Sequence, residues 1–131
     1  MKKLALLFLL LVSFTSACHR DKDAITHERV RQVAEQYFSY LVDGKYDKYV
    51  EGMVDADSMP DRYRSQLADM VAQFVALQKS NHGGLAFACA MADSLPDSIH
   101  AHVFLDVHFA DSTVERIGMP LRYQNGRWKM E

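Results

Sequence analysis

Hydrophobic residues along this chain fall into three successive patterns, and each implies a different kind of structure. Residues 4–12 form an unbroken apolar run, too short for a stable transmembrane helix, which needs roughly 20 residues. Residues 19–24 are polar and aperiodic, as in a tether. Thr26 then suits an N-cap with Glu28 in the first turn. Val30, Val33, Ala34, Tyr37, Phe38, Leu41 and Val42 recur at helical spacing, and Asp43-Gly44 ends that helix. A shorter helix is predicted through Tyr46, Tyr49, Val50 and Met53, followed by a loop over residues 55–59. Pro60 suits the first turn of a third helix, carried by Tyr63, Leu67, Met70, Val71, Phe74 and Leu77 and ended by Asn81-His82-Gly83-Gly84.

From Leu85 the period shortens from 3.6 to 2. Residues 85–91 read as a first strand. Residues 99–109 alternate strictly, Ile99, Ala101, Val103, Leu105, Val107 and Phe109 against His100, His102, Phe104, Asp106 and His108. Asp111-Ser112 can turn into a strand over residues 113–119, with Pro120 at an edge or a bulge. Leu121 to Gln124 then meets Asn125-Gly126, a strong hairpin signal, before Arg127 to Met130. Helices first and antiparallel strands after them predict an α+β fold. No repeat or low-complexity tract divides the chain.

The amino terminus carries a second message. Lys2 and Lys3 precede the apolar run, and Thr15-Ser16-Ala17 lead into Cys18. A basic start, a short apolar stretch and small residues before a cut make a secretory signal. The cysteine after them resembles the lipobox of bacterial lipoproteins, in which cleavage precedes a lipid-bearing cysteine. Thr15 departs from the leucine usual at that place, and ordinary secretion with Cys18 as a bystander is the plainer alternative. The expected organisation is therefore a signal peptide at 1–17, a lipidated Cys18 with its tether at 18–25, and one domain at 26–131.

Composition fits one small globular domain, with 49% hydrophobic and 24% charged residues. Loss of Lys2 and Lys3 would lower the 15 basic residues to 13 against 17 acidic, a formal charge of −4. Such a mildly acidic domain lacks the basic footprint of a nucleic-acid binder. With Cys18 acylated, Cys89 has no partner for an internal disulfide. Its apolar neighbours in Leu85-Ala-Phe-Ala-Cys-Ala-Met91 predict a small buried side chain.

A long helix closing on Leu41-Val-Asp-Gly-Lys-Tyr-Asp-Lys-Tyr49, two further helices and a meander ending in Gly126-Arg-Trp-Lys129 resemble a known group. The chain is similar to small lipoproteins of the nuclear-transport-factor-2-like superfamily, especially lumazine-binding-like domains of unknown function from Bacteroides-type bacteria. The resemblance covers residues 26–131. It implies a cone-like arrangement, three N-terminal helices packed on a curved four-stranded antiparallel sheet, with a pocket between them. It implies no single activity.

Candidate chemistry is sparse. His100 and His102 stand about 6.6–7 Å apart on one strand face and could bend toward one metal ion, with Asp106 or His108 completing the shell. They are weak candidates: Phe104 interrupts the polar face, and no metal or other cofactor is expected. Superfamily enzymes place a general base beside groups that hold a substrate oxygen, a role Tyr37, Tyr40, Asp106 and His108 could share as a possible pocket if the polar face turned inward. The apolar face of residues 99–109 needs the helices more, which turns the histidines outward. The many aromatic residues can fill a core or line an apolar pocket. Trp128, just after the hairpin turn, should pack across the sheet against a helix. Arg116, Arg122, Arg127 and Lys129 read as a solvated sheet face.

The expected protein is thus held in the cell envelope, at the outer membrane, through Cys18. Its domain would bind a small ligand or another envelope protein without catalysis. The alternative is a small isomerase or hydrolase with an Asp106/His108 base.

Overall fold

The computed structural model describes residues 26–131. The expected signal peptide, Cys18 and tether lie outside the described residues. Helix α1 spans His27–Val42, and the Thr26 hydroxyl accepts a hydrogen bond from the Arg29 backbone N–H at 3.1 Å. Its Val30, Ala34, Tyr37, Phe38 and Leu41 are buried, the face that the helical spacing predicts. Gly44 takes the left-handed conformation at φ 72° that ends the helix. Helix α2 is a short Tyr46–Glu51, a 3₁₀ turn covers Ala56–Ser58, and α3 runs Asp61–His82.

Strands β1 (Leu85–Ser94), β2 (His100–Phe109), β3 (Val114–Gln124) and β4 (Arg127–Met130) form one antiparallel sheet in chain order. The alternation of β2 is realised fully: Ala101, Val103, Leu105, Val107 and Phe109 are buried, joining the α1 face in the core with Leu121, Trp128 and Met130. The intervening His100, His102, Phe104, Asp106 and His108 lie on the outer face. The outcome is α+β, three helices on a four-stranded antiparallel sheet. Helix α1 meets β1 and β2, whereas α3 leans chiefly on α2. Ala68 is the only buried residue of α3, and Tyr63, Met70, Phe74 and Leu77 are exposed.

Several details differ from expectation. Strand β1 reaches Ser94 rather than residue 91, with register irregularities between Leu85 and Phe87 and between Ala90 and Ala92. The second turns Asp93 inward beside Val103, so a polar residue extends the strand. The Glu35 carboxylate accepts from the Ala90 N–H at 2.9 Å, satisfying the backbone next to that irregularity. Cys89 is half-buried rather than buried, because it pairs with Asp106 and shares the outer face. Pro120 lies within β3, its carbonyl accepting from the Glu131 N–H at 3.0 Å. Its missing N–H therefore faces the place where β4 ends.

Lys129 is the largest departure. Expected in solvent, it is 3% exposed, with its Nζ 3.6 Å from the Asp57 carboxylate. The cause lies at the end of the second helix, which stops at Glu51 instead of continuing through Met53, and in the loop that follows it. Met53 bridges to Met130 in parallel, the Val54 N–H donates to the Met130 carbonyl at 2.8 Å, and the Met130 N–H donates to Gly52 at 2.8 Å. Residues 52–54 thus cover the edge of β4, and the turn after them lies over Lys129.

Candidate functional site

A cleft of about 1050 Å³ lies between α1, the start of α2 and the β3–β4 hairpin. Its helical wall is a stripe of α1, Arg29, Val33, Gln36 and Tyr40, which flanks the buried face. The opposite wall is Tyr123, Gly126 and Arg127 of the hairpin, with Trp128 and Tyr37 below them. Two local devices hold this wall in place. Asn125 and Gly126 adopt φ 52° and 77°, the pair of positive angles a tight hairpin requires. The buried Tyr37 hydroxyl then donates to the Trp128 carbonyl at 2.5 Å, tying α1 to β4.

Aromatic rings shape the interior. Tyr37 and Tyr40 meet edge-on with centroids 6.3 Å apart, and Tyr123 tilts over Trp128 at 5.2 Å. The Lys48 ammonium sits 5.9 Å from the centre of the Tyr40 ring, within cation–π range. Burial raises the Tyr37 hydroxyl above the usual tyrosine range, opposed in part by the positive charges of Arg127 and Arg29. Tyr37 is therefore a neutral donor already engaged with backbone, a fixed strut rather than an acid or base.

Of the four residues expected to share a pocket, Tyr37 and Tyr40 line the cleft, and the structure does not bring Asp106 and His108 to them. Those two lie on the outer face of β2. The Arg116 guanidinium grips Asp106 at 2.7 and 3.2 Å, and these hydrogen bonds hold its carboxyl below the ordinary range. His108 stacks on Phe87 at 4.3 Å. Its neighbours diverge similarly: His100 reaches back to the Asp97 carboxylate at 2.9 Å, while His102 stacks on Phe104 at 4.8 Å. Among the described residues no group of three or more His, Cys, Asp or Glu side chains is placed to hold a metal ion.

The cleft has no such acid–base pair. Glu28 is the only carboxylate among its described lining residues, no histidine or cysteine joins it, and it accepts from Gln32 at 3.3 Å. Cations dominate instead: Arg29, Lys45, Lys48 and Arg127. Val33 and Tyr37 of this cleft belong to the apolar repeat that predicts α1, and Tyr40 was expected in a pocket. Arg29 and its meeting with Arg127 carried no such signal, because that meeting depends on where the hairpin packs.

No protein-family model matches the chain, and no curated protein matches it. Among solved structures, it is similar to the crystal structure of a "Putative NTF2-like transpeptidase" from Campylobacter jejuni. The match covers 76% of this chain and 94% of that one, at 14% identity and a TM-score of 0.61. That likeness lies in the backbone arrangement, and the fold described above is NTF2-like.

Proposed function

We propose that this chain is a lipid-anchored envelope protein whose domain binds a small molecule in the cleft between α1 and the β3–β4 hairpin without transforming it. The observation that carries the binding reading is the cleft itself, large enough for a small organic ligand. Its lining favours binding over catalysis. Aromatic rings offer contact area, while no nucleophile–base or acid–base pair converges there. The alternative Asp106/His108 base gains no support from a carboxylate locked to Arg116 and an imidazole stacked on Phe87.

The anchor rests on the order of basic, apolar and small residues before Cys18. Among the described residues no helix is long and apolar enough to cross a membrane. In this reading two or more acyl chains at Cys18 hold the protein to the envelope, since a single chain gives only marginal residence. Labelled fatty acid should enter the wild-type chain and fail to enter Cys18→Ser. Equal labelling of both removes the anchor. For the domain, a small-molecule extract of the native envelope should raise the melting temperature of the wild-type chain. No shift from any fraction removes the binding reading.

A further inference from the structure

The charges around the cleft specify more than a generic small molecule. Arg29 comes from α1, Lys45 and Lys48 from the start of α2, and Arg127 from the β3–β4 hairpin, so separate elements deliver positive charge to one concavity. Elsewhere among the described residues most cations are matched. Arg31, Arg64, Arg116, Arg122 and Lys129 each lie within 4.0 Å of a carboxylate. Among the described residues six Lys and Arg side chains take part in no ion pair, and four of them line this cleft; Arg62 and Lys79 of α3 are the others. A chain with more acidic than basic residues has carboxylates enough to neutralise such a cluster. Here Glu28, the single carboxylate among the described lining residues, sits at one end on the first turn of α1. Like charges gathered without counter-charge repel one another, and a bound anion relieves that repulsion.

The rings fix the rest of the ligand. Tyr40 and Tyr123 are half-buried on opposite walls, above the buried Tyr37 and Trp128. Flat, partly wetted aromatic walls favour a flat apolar body between them. Guanidinium groups at the rim suit an oxyanion, which they can grip through paired N–H donors. Arg29 on α1 and Arg127 on β4 line the cleft from its two walls.

We infer that the ligand of this cleft is an aromatic oxyanion: a planar ring system bearing a carboxylate or phosphate, its ring between Tyr40 and Tyr123 and its charge among Arg29, Lys45, Lys48 and Arg127. This rests on the binding reading above and narrows it to one chemical class.

The test uses the full chain in lipid nanodiscs, with empty nanodiscs as blank, and isothermal titration calorimetry. Four probes separate the contributions: 2-naphthoate, 2-naphthyl phosphate, the neutral 2-naphthamide and inorganic phosphate. The two aromatic anions should bind at least ten-fold more tightly than either the neutral amide or phosphate alone. The ratio between them distinguishes a carboxylate from a phosphate ligand. The double variant Arg29→Gln/Arg127→Gln should lose at least ten-fold in affinity for the anions while melting within a few degrees of wild type. The control Arg62→Gln/Lys79→Gln removes equal charge from α3 and should bind as wild type. Naphthamide binding as tightly as naphthoate overturns the anion inference and leaves the small-molecule reading standing. Equal losses in both double variants would reduce the effect to overall charge and overturn it too. Phosphate binding as tightly as the aromatic anions overturns the role of the rings. Binding of none of the probes overturns the inference outright, and the envelope-extract melting shift then decides separately whether the cleft binds anything.

Discussion

Gly52 backs directly onto the ring of Tyr37: a Cβ added at Gly52 would overlap the Tyr37 Cε1 atom. The backbone of Gly52 is ordinary, at φ −78°, so a close approach and not an unusual conformation demands glycine. The same residue accepts the Met130 N–H, and the ring it touches is tied to the Trp128 carbonyl. Gly52 therefore sits where α1, the end of α2 and β4 converge.

Gly52→Ala should consequently destabilise the domain by about 1–3 kcal/mol, the usual range for overpacking a tight core. The ring has little freedom to retreat while its hydroxyl stays on β4. Urea unfolding followed by the emission of Trp128, the only tryptophan in the chain, measures this directly. An unchanged unfolding midpoint would mean that the Tyr37 ring moves aside freely, and that it does not pin the hairpin.

The hairpin turn makes a second test. Asn125 and Gly126 both have positive φ, and a Cβ at Gly126 would meet nothing within 4 Å. Space is available, so a substitution there reports backbone strain alone. Gly126→Val places a β-branched residue in a left-handed conformation, at a cost of roughly 1–3 kcal/mol. Trp128 is 3% exposed, so wild-type emission should be that of a buried indole. A red shift in the native variant would show that the register of β4 slips as well. Wild-type emission already typical of exposed indole would refute the closure of the core by β4.

The two glycines differ in how they could be read. Asn125-Gly126 between alternating residues announces its turn, as Thr26 and Gly44 announce the limits of α1 and the strict alternation of β2 announces its faces. Gly52 carries no local signal, because its neighbour Tyr37 is fifteen positions away and on another helix. The same holds for the burial of Lys129, which depends on residues 52–54 pairing alongside β4. Strand β1 was ambiguous for a different reason. Its run of small and apolar residues has no period, so nothing local fixes which residues face inward, and the irregularity at Ala90–Ala92 then reverses the alternation. The candidate cleft was half legible. Tyr37 and Tyr40 lie on the predicted helix, but their expected partners sit across the sheet from them. The cations that surround them instead come from elements whose juxtaposition is tertiary.

The outer histidines allow a third prediction. His102 and His108 each stack on a phenylalanine, and His100 pairs with Asp97, all at the surface. Replacing His100, His102 and His108 together with Gln should change stability by no more than about 1 kcal/mol, as surface substitutions generally do. The purified chain should also carry no stoichiometric metal after chelator washing. Zinc or copper near one per chain, lost in the triple variant, would restore the metal reading of this strand.

The last prediction concerns the inward turn of Asp93. Its side chain is fully covered, and it receives the His27 imidazole and, at 2.5 Å, the Arg31 guanidinium, both from α1. Burial alone would raise this carboxyl. The hydrogen bonds and charges of His27 and Arg31 outweigh it and leave Asp93 below the ordinary range. A carboxyl whose folded value lies below its unfolded value, about 3.9, contributes stability that is fully present above that value. The contribution disappears as pH falls through the folded value, when the carboxylate takes up a proton. The wild-type chain should therefore lose unfolding free energy below about pH 4, through this group among others. Asp93→Asn removes the charge but keeps the shape. It should cost about 1 kcal/mol at pH 7, given that His27 and Arg31 are themselves partly exposed. The difference between wild type and variant should narrow steadily from pH 5 to pH 2. Urea titrations across that range measure it, and a difference independent of pH would show that Asp93 joins β1 to α1 by shape alone and not by charge.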